Sequence, residues 1–443
     1  MRLPLATMIG IATGVLATLS VSSNVRAEPT VDWSTIPATT LTLFYPGQSS
    51  YDWLRSSDHK RAYSKVVAGD SCVSCHEGEE RDIGQLIVAG ERLEPSPIEG
   101  KNSTVDLTVQ VAYDDENAHF RFQWKTQMDR PGQMHDYIRF NGEMWEFYGG
   151  PRSSGAVRNG EQPPIYEDRL SIMVDDGSVA NFAAQGCWLS CHIGMRDMPD
   201  EPAREEITAN PVLGADGLKV GDIRKYLPPS RTNEEMSWDA TKLADEIAAL
   251  RAKGEFVDLM QWRAARSAPV SMADDGYVLE YRLFDAGKNP FNWNVDRKTM
   301  TPKFMFDAEK VGLNAITADD IGDPSKPHAL IREENAIPYN PDAGWTAGDV
   351  LPGRLVSRID AEGSAADNDQ VISKWEDGVW TVVWTRKRDT GHPEDDKIIE
   401  DGKTYNFGFA VHDDNVTTRF HYVGFPVSIG FGAEGDVQAT KLQ

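Results

Sequence analysis

A chain of 443 residues with 40% apolar residues and 12 Trp can fill one large core or two to three smaller domains. Its 69 Asp and Glu against 45 Lys and Arg leave a formal net charge of −24. That balance argues against nucleic acid or an anionic membrane surface as a partner, since both call for basic patches, and it suits docking to a basic protein.

Arg2 followed by the uncharged, mostly apolar or small stretch Leu3 to Val21 and the small-x-small site Val25-Arg26-Ala27 has the layout of a secretory signal peptide, residues 1–27. An uncleaved anchor is the alternative. No later stretch has the apolar length to cross a bilayer, so the mature chain is expected to be soluble and periplasmic. Residues 28–100 are loop-rich and contain Cys72-Val73-Ser74-Cys75-His76. This is a C-x-x-C-H haem-attachment pattern. On one helical turn, positions i and i+3 share a face, so two thiols can meet the two vinyl groups on one edge of a porphyrin. The next residue, His76, then reaches the iron. A zinc half-site and a disulfide are the rival readings. His59, a short loop upstream, is the candidate second ligand, with an ordinary surface histidine as the alternative. A short segment makes little core of its own, and a haem would supply the missing apolar packing.

From Thr104 the apolar period becomes two. Val105, Leu107, Val109, Val111 and Tyr113 alternate with polar residues, Asp114 to Asn117 turn the chain, and Phe120, Phe122 and Trp124 alternate again. The pattern returns late in the chain. Trp375 leads through Asp377-Gly378 to Val379–Trp384, then come Tyr405 to Val411, Arg419 to Phe425 and Val427 to Phe431. The reading is a mainly β fold. An antiparallel β-sandwich spans residues 101–443, interrupted by a helical haem-bearing insertion at about 178–269 and preceded by a small cytochrome-c-like segment. The insertion should hold a helix with Asp239 as N-cap, Leu243, Ile247 and Leu250 on one stripe, and an end near Gly254. It also holds Cys187-Trp188-Leu189-Ser190-Cys191-His192. Here i and i+4 again share a face, so a second covalent haem with His192 as ligand is expected, with Trp188 as apolar lining. A disulfide, or one zinc site joining all four thiols, is the alternative. Strand parity turns His421 inward with Val423 and Phe425, as the second haem's other ligand or a buried structural histidine. The same parity turns His412 away from Phe409 and Val411, toward water. Met173, Met195, Met198 and Met134 are the remaining candidates. Asp175-Asp176 and Glu394-Asp395-Asp396 lack an EF-hand pattern and read as solvated turns.

Several stretches together resemble the haem-binding subunit of ethylbenzene dehydrogenase and related DMSO-reductase-type enzymes. They are Val257 to Arg266, Gly378 to Arg386, Phe407 to Asp413 and Arg419 to Val423. The resemblance implies a sandwich clamping one haem that relays electrons from a molybdenum subunit. In that relative the haem is b-type and held by Met and Lys; the resemblance puts His421 at the Lys position and Met173 at the Met position. Both cysteine motifs depart from it and point to a multihaem cytochrome branch. The expectation is therefore an exported electron carrier with two haem c groups, at Cys72, Cys75, His76 and at Cys187, Cys191, His192. An additional haem b between Met173 and His421 stays open. Its partners would be redox proteins, a molybdenum enzyme or a quinol-linked cytochrome among them. The alternatives are the haem subunit of a larger molybdenum oxidoreductase and a haem enzyme such as a dihaem peroxidase.

Overall fold

Alternating side chains decide the architecture of the computed structural model, which describes residues 31–90, 93–128 and 136–442. The expected signal peptide and Met134 lie outside these residues. The first hairpin forms as its period predicts. Strand β2 (Thr104–Tyr113) pairs antiparallel with β3 (Asn117–Lys125), following β1 (Thr39–Phe44) in the chain. Asp114 Oδ1 accepts from the backbone N–H groups of Glu116 and Asn117, which closes the turn. A short polar side chain thereby does what a backbone carbonyl would do in a regular turn.

The strands that follow in the same sheet are β4 (Arg169–Asp175), β5 (Val257–Arg263), β6 (Gly276–Val278), β7 (Arg282–Phe284), β8 (Gln370–Glu376), β9 (Val379–Lys387), β10 (Lys403–His412), β11 (Tyr422–Val423), β12 (Val427–Phe431) and β13 (Val437–Lys441). Their order is β8-β9-β3-β2-β1-β11-β10-β4-β5-β6-β7, with β12 bridging β10 to β13 and β13 running parallel to β2. Two routes thus join β2 to β10, one through β1 and β11 and one through β13 and β12. The sheet folds back on itself as a sandwich. Phe120 meets Phe407 and Phe122 meets Phe409 across the layers, at ring separations of 6.0 and 5.8 Å. Trp124, Trp262 and Trp380 close one end of this core.

Two boundaries differ from the sequence reading. Strand β1, within residues 28–100, lies inside the sheet between β2 and β11, and residues 33–443 cluster as one compact unit. Strand β5 lies within 178–269 yet is also a sheet strand, so the excursion ends at about residue 256. Its sequence hides this, because six of the seven residues Val257–Arg263 are buried and no polar–apolar alternation survives. The helix of the excursion runs Ala244–Arg251, not from Asp239. Leu243 stands at the N-cap, where its N–H donates to Glu246 Oε2 at 3.3 Å. Between β3 and β4, and between β7 and β8, shorter strands build three small sheets around a second core that includes Tyr137, Trp145, Phe306 and Leu351. Strands of two to four residues carry too few alternations to be read in advance.

Candidate haem-binding sites

Cys72 to His76 forms the single helical turn that the motif predicts; the N–H groups of Cys75 and His76 both reach the carbonyl of Cys72, at 3.2 and 3.0 Å. Both thiols and the His76 ring line a cavity of about 440 Å³. Its walls are mostly apolar, among them Phe44, Leu54, Val66, Ile83, Trp188 and Phe425. His59 lines the same cavity from a 3₁₀ segment, Ser57–Ala62, in which Lys60 takes a positive φ of 53°. The imidazoles of His59 and His76 have centroids 6.1 Å apart and planes within 19°. His59 is anchored by Nδ1 on the carbonyl of Leu54 at 3.0 Å, and His76 by Nδ1 on Glu79 Oε2 at 2.8 Å. With Nδ1 engaged on each ring, Nε2 is the nitrogen each offers to a metal, the arrangement that ligand histidines use. Two metal–nitrogen bonds of about 2.0–2.1 Å, plus the reach from each nitrogen to its ring centre, require roughly 6 Å between rings. The first site therefore gathers two thiols, two imidazoles and a mostly apolar wall around one cavity.

The second site stands on the outer face of the sandwich layer β10-β4-β5. Along each strand, alternate residues split between two environments. Phe407, Phe409 and Val411, Leu170, Ile172 and Val174, and Met260 and Trp262 enter the core. Gly408, Ala410 and His412, Arg169, Ser171 and Met173, and Leu259, Gln261 and Arg263 line a cavity of about 800 Å³ beneath the excursion. Cys187, Cys191 and His421 face the same cavity. Gly408 is required there. A Cβ at this position would stand 2.7 Å from Cys187 Sγ and 3.6 Å from the Cβ of Met173.

The expected position of His412 is corrected. Parity places it opposite Phe409 and Val411, but that face meets the cavity rather than water, and the side chain is buried. Its ring stacks on that of His421 at 4.9 Å. His421 is anchored by Nδ1 on the carbonyl of Thr418. Burial pushes His421 down to about 3 and His412 well below the usual histidine range. Both are therefore neutral at physiological pH, the state in which an imidazole binds metal.

His192 is not brought to this cavity. Its ring lies flat on Tyr226, centroids 3.9 Å apart, with Nε2 3.2 Å from the Tyr226 carbonyl and Nδ1 3.4 Å from Asp52 Oδ2 without hydrogen-bond geometry. Among the other candidates, Met173 and Met195 line the cavity; Met198 is buried and does not. Trp188, read as lining for the second site, lines the first instead and donates from Nε1 to Ser49 Oγ at 3.1 Å.

The electrostatics of the second cavity were not legible in the sequence. Arg169, Arg196, Arg204, Arg224, Arg263, Arg266, Arg282, Arg297, Arg354 and Arg419 all contribute to its wall. Several are held by carboxylates: Arg263 and Arg282 by Asp274, Arg266 by Glu167, Arg354 by Asp136, Arg196 and Arg224 by Asp222, and Arg419 by Glu94. Arg169 Nη2 is buried without a partner. Converging guanidinium forks fit carboxylates, and a porphyrin carries two as propionates. These arginines are scattered from position 169 to 419, so no local run of basic residues announces them. None of the four thiols is in a disulfide, and no cysteine belongs to a converging metal-ligand group among the described residues. Burial pushes the Cys72 thiol up to about 11 and raises Cys187 and Cys191 as well, which disfavours thiolate nucleophiles. Among the described residues no helix is long and apolar enough to cross a membrane.

A family model described as ethylbenzene dehydrogenase matches residues 30–424. The chain is similar to a cytochrome c-552 of Stutzerimonas stutzeri, 27% identical over 436 residues that cover 98% of this chain and 99% of that protein. It is also similar to a cytochrome c-551 of Rhodocyclus tenuis, 28% identical over 178 residues, 39% of this chain and 60% of that protein.

Proposed function

The chain belongs to the ethylbenzene dehydrogenase family, and from that premise we propose that it is a periplasmic dihaem c-type cytochrome that carries electrons between redox proteins. The observation that carries this reading is the pair His59 and His76, 6.1 Å apart over a cavity lined by Cys72 and Cys75. Both rings are pinned through Nδ1, so each keeps its orientation toward the cavity in either charge state of a metal between them. Two imidazoles leave no position for a substrate, and they set a lower potential than His with Met. A bound haem supplies the one-electron ferrous–ferric couple.

The two sites share a wall. The Cys72 N–H donates to the carbonyl of Ala184, and the Tyr51 N–H to that of Cys191, at 3.1 and 2.6 Å. Trp188 and Phe425 line the first cavity, while Cys187, Cys191 and His421 line the second. The Trp188 and Phe425 rings stand 5.8 Å apart. At the second site we assign Cys187 and Cys191 to thioether attachment and His421 and Met173 to the iron. His192, the ligand that the motif names, would have to leave Tyr226 to compete. The arginine-lined wall would neutralise propionates and favour the reduced, more negative state. The signal-like N-terminus and the similarity to cytochromes c support export. Family membership makes a molybdenum oxidoreductase one class of partner, and a basic quinol-linked cytochrome is another.

Intact mass and a pyridine haemochrome spectrum of protein exported with haem-maturation machinery test the reading. Two covalent haems are expected. A mass gain of one haem would reject the assignment of Cys187 and Cys191, and a b-type spectrum beside it would put a non-covalent haem at Met173 and His421 instead. One observation favours a second reading, a haem enzyme: the unpartnered Arg169 Nη2 in the arginine-lined cavity, suited to an anionic substrate. Carbon monoxide separates the two, because a reduced protein that binds it strongly has an open iron position and is not a simple carrier.

A further inference from the structure

Five aspartates with almost no counter-charge meet at the open end of strand β5. Asp258 stands on β5, Asp275 precedes β6, Asp285 follows β7, and Asp395 and Asp396 lie between β9 and β10. The sequence reading treated Asp395 and Asp396 as a solvated turn. The structure corrects this, since both are at most 2% exposed and the other three at most 5%.

One guanidinium answers them directly: Arg386 donates to Asp258 Oδ2 and Asp396 Oδ1, both at 2.9 Å. Arg251 comes no nearer than 4.0 Å to Asp395. Lys397 turns its ammonium away, to Asp176 and the Gly254 carbonyl. Neutral donors cover some of the oxygens. Asn368 and the Gly276 N–H serve Asp275, Ser364 and the Ala286 N–H serve Asp395 Oδ2, and the Lys397 N–H serves Asp258 Oδ2. Yet Asp258 Oδ1, Asp395 Oδ1, Asp396 Oδ2 and both oxygens of Asp285 are buried with no hydrogen-bond partner. An anionic oxygen left so is costly unless a cation meets it. Ligand oxygens of Asp258, Asp275 and Asp396, and again of Asp285, Asp395 and Asp396, lie within 4.8 Å of one another. Oxygens around one ion at 2.3–2.6 Å are separated by no more than about 5 Å.

We propose that this cluster is a structural calcium site, with Asp396, common to both groups, at its centre. The donor set is all oxygen and mostly carboxylate, which selects a hard divalent cation over zinc or copper. Calcium is favoured over magnesium because irregular ligands from five chain positions suit its flexible shell rather than a strict octahedron. The ion would clasp the 392–397 loop to β5 and to the β6–β7 hairpin. Two of the elements braced in this way, β5 through Leu259, Gln261 and Arg263 and β7 through Arg282, contribute to the wall of the second haem cavity.

The holoprotein is analysed for metals as isolated, then dialysed against EGTA and titrated with calcium chloride or magnesium chloride while thermal unfolding is followed. About one calcium per chain is expected, with a Tm that falls by several degrees in chelator and recovers with calcium far better than with magnesium. Asp285→Asn should weaken calcium binding at least tenfold. It should also raise the Tm of chelated protein, because it removes one of the repelling charges. This opposed pair of effects separates a ligand from a residue needed only for folding. Metal-free protein whose Tm ignores millimolar calcium would overturn the proposal, as would equal rescue by magnesium. None of the five aspartates lines either haem cavity, so the result reads independently of haem content.

Discussion

His59 is half-buried on a short 3₁₀ segment, outside every strand. His59→Ala is therefore expected to leave folding and covalent attachment intact while opening one iron position. The reduced variant should bind carbon monoxide at the first site, and that site's potential should rise in a redox titration. An unchanged potential would show that His59 is not a ligand. Lys101 makes a second residue-scale case. Its ammonium is buried without a hydrogen-bond partner and sits 3.9 Å above the Tyr422 ring. Burial pushes it down to about 7. The unfolded chain then binds more protons than the native one between pH 7 and about 10.5. The cost of this charge is thus fully present below pH 7 and disappears as pH rises through 10.5. Lys101→Met should raise stability by about 1–4 kcal/mol at neutral pH. The gain should shrink steadily toward pH 10.5 when followed by denaturant unfolding. A gain that does not vary with pH would assign the effect to packing alone.

At the scale of elements, the close approach of β10 to the Cys187 turn carries the second site. Gly408→Ala places a methyl 2.7 Å from Cys187 Sγ, so either the thiol or the strand must move. The expected outcome is selective loss of the second covalent haem, read as a mass lower by one haem, with the first retained. Two haems on this variant would mean that the thiol can reach its vinyl group by another path. The hairpin β8–β9 shows how far local sequence reaches. Asp377 and Gly378 both adopt positive φ, 51° and 79°, as the tight turn read from Asp-Gly demands, and the register Glu376 with Val379 follows. The turn at Cys72 to His76 was legible for the same reason, since five consecutive residues set its geometry. Parity along β10 was also right, but it says only which residues share a face. It does not say what covers that face. The pattern points His412 to water because the excursion that roofs the cavity comes from residues far away in the chain.

For the whole molecule, the net charge of −24 predicts how the protein meets its partner. Electron transfer to a basic redox protein should be fast at low ionic strength and slow steeply as salt rises, since the Debye length falls from about 30 Å at 0.01 M to about 8 Å at 0.15 M. Stopped-flow rates with a basic and an acidic acceptor distinguish this from a salt effect on the haem itself. A rate with the basic acceptor that is flat in salt would place the docking surface away from the acidic field. The same fold draws a group of its cations together. Ten arginines gather at one cavity of an otherwise acidic chain, each brought there by a different strand or loop.

The sequence by itself determined the β architecture, the family and the single helical turn at Cys72 to His76. Each of these depends on spacing within a few residues or on a repeated period. Only the tertiary structure decided that Trp188 serves the first cavity, that His192 rests on Tyr226, that arginines surround His421 and Met173, and that five aspartates share one buried point. Those placements join residues tens to hundreds of positions apart. Burial and charge at such a point are sums over neighbours that no local pattern specifies.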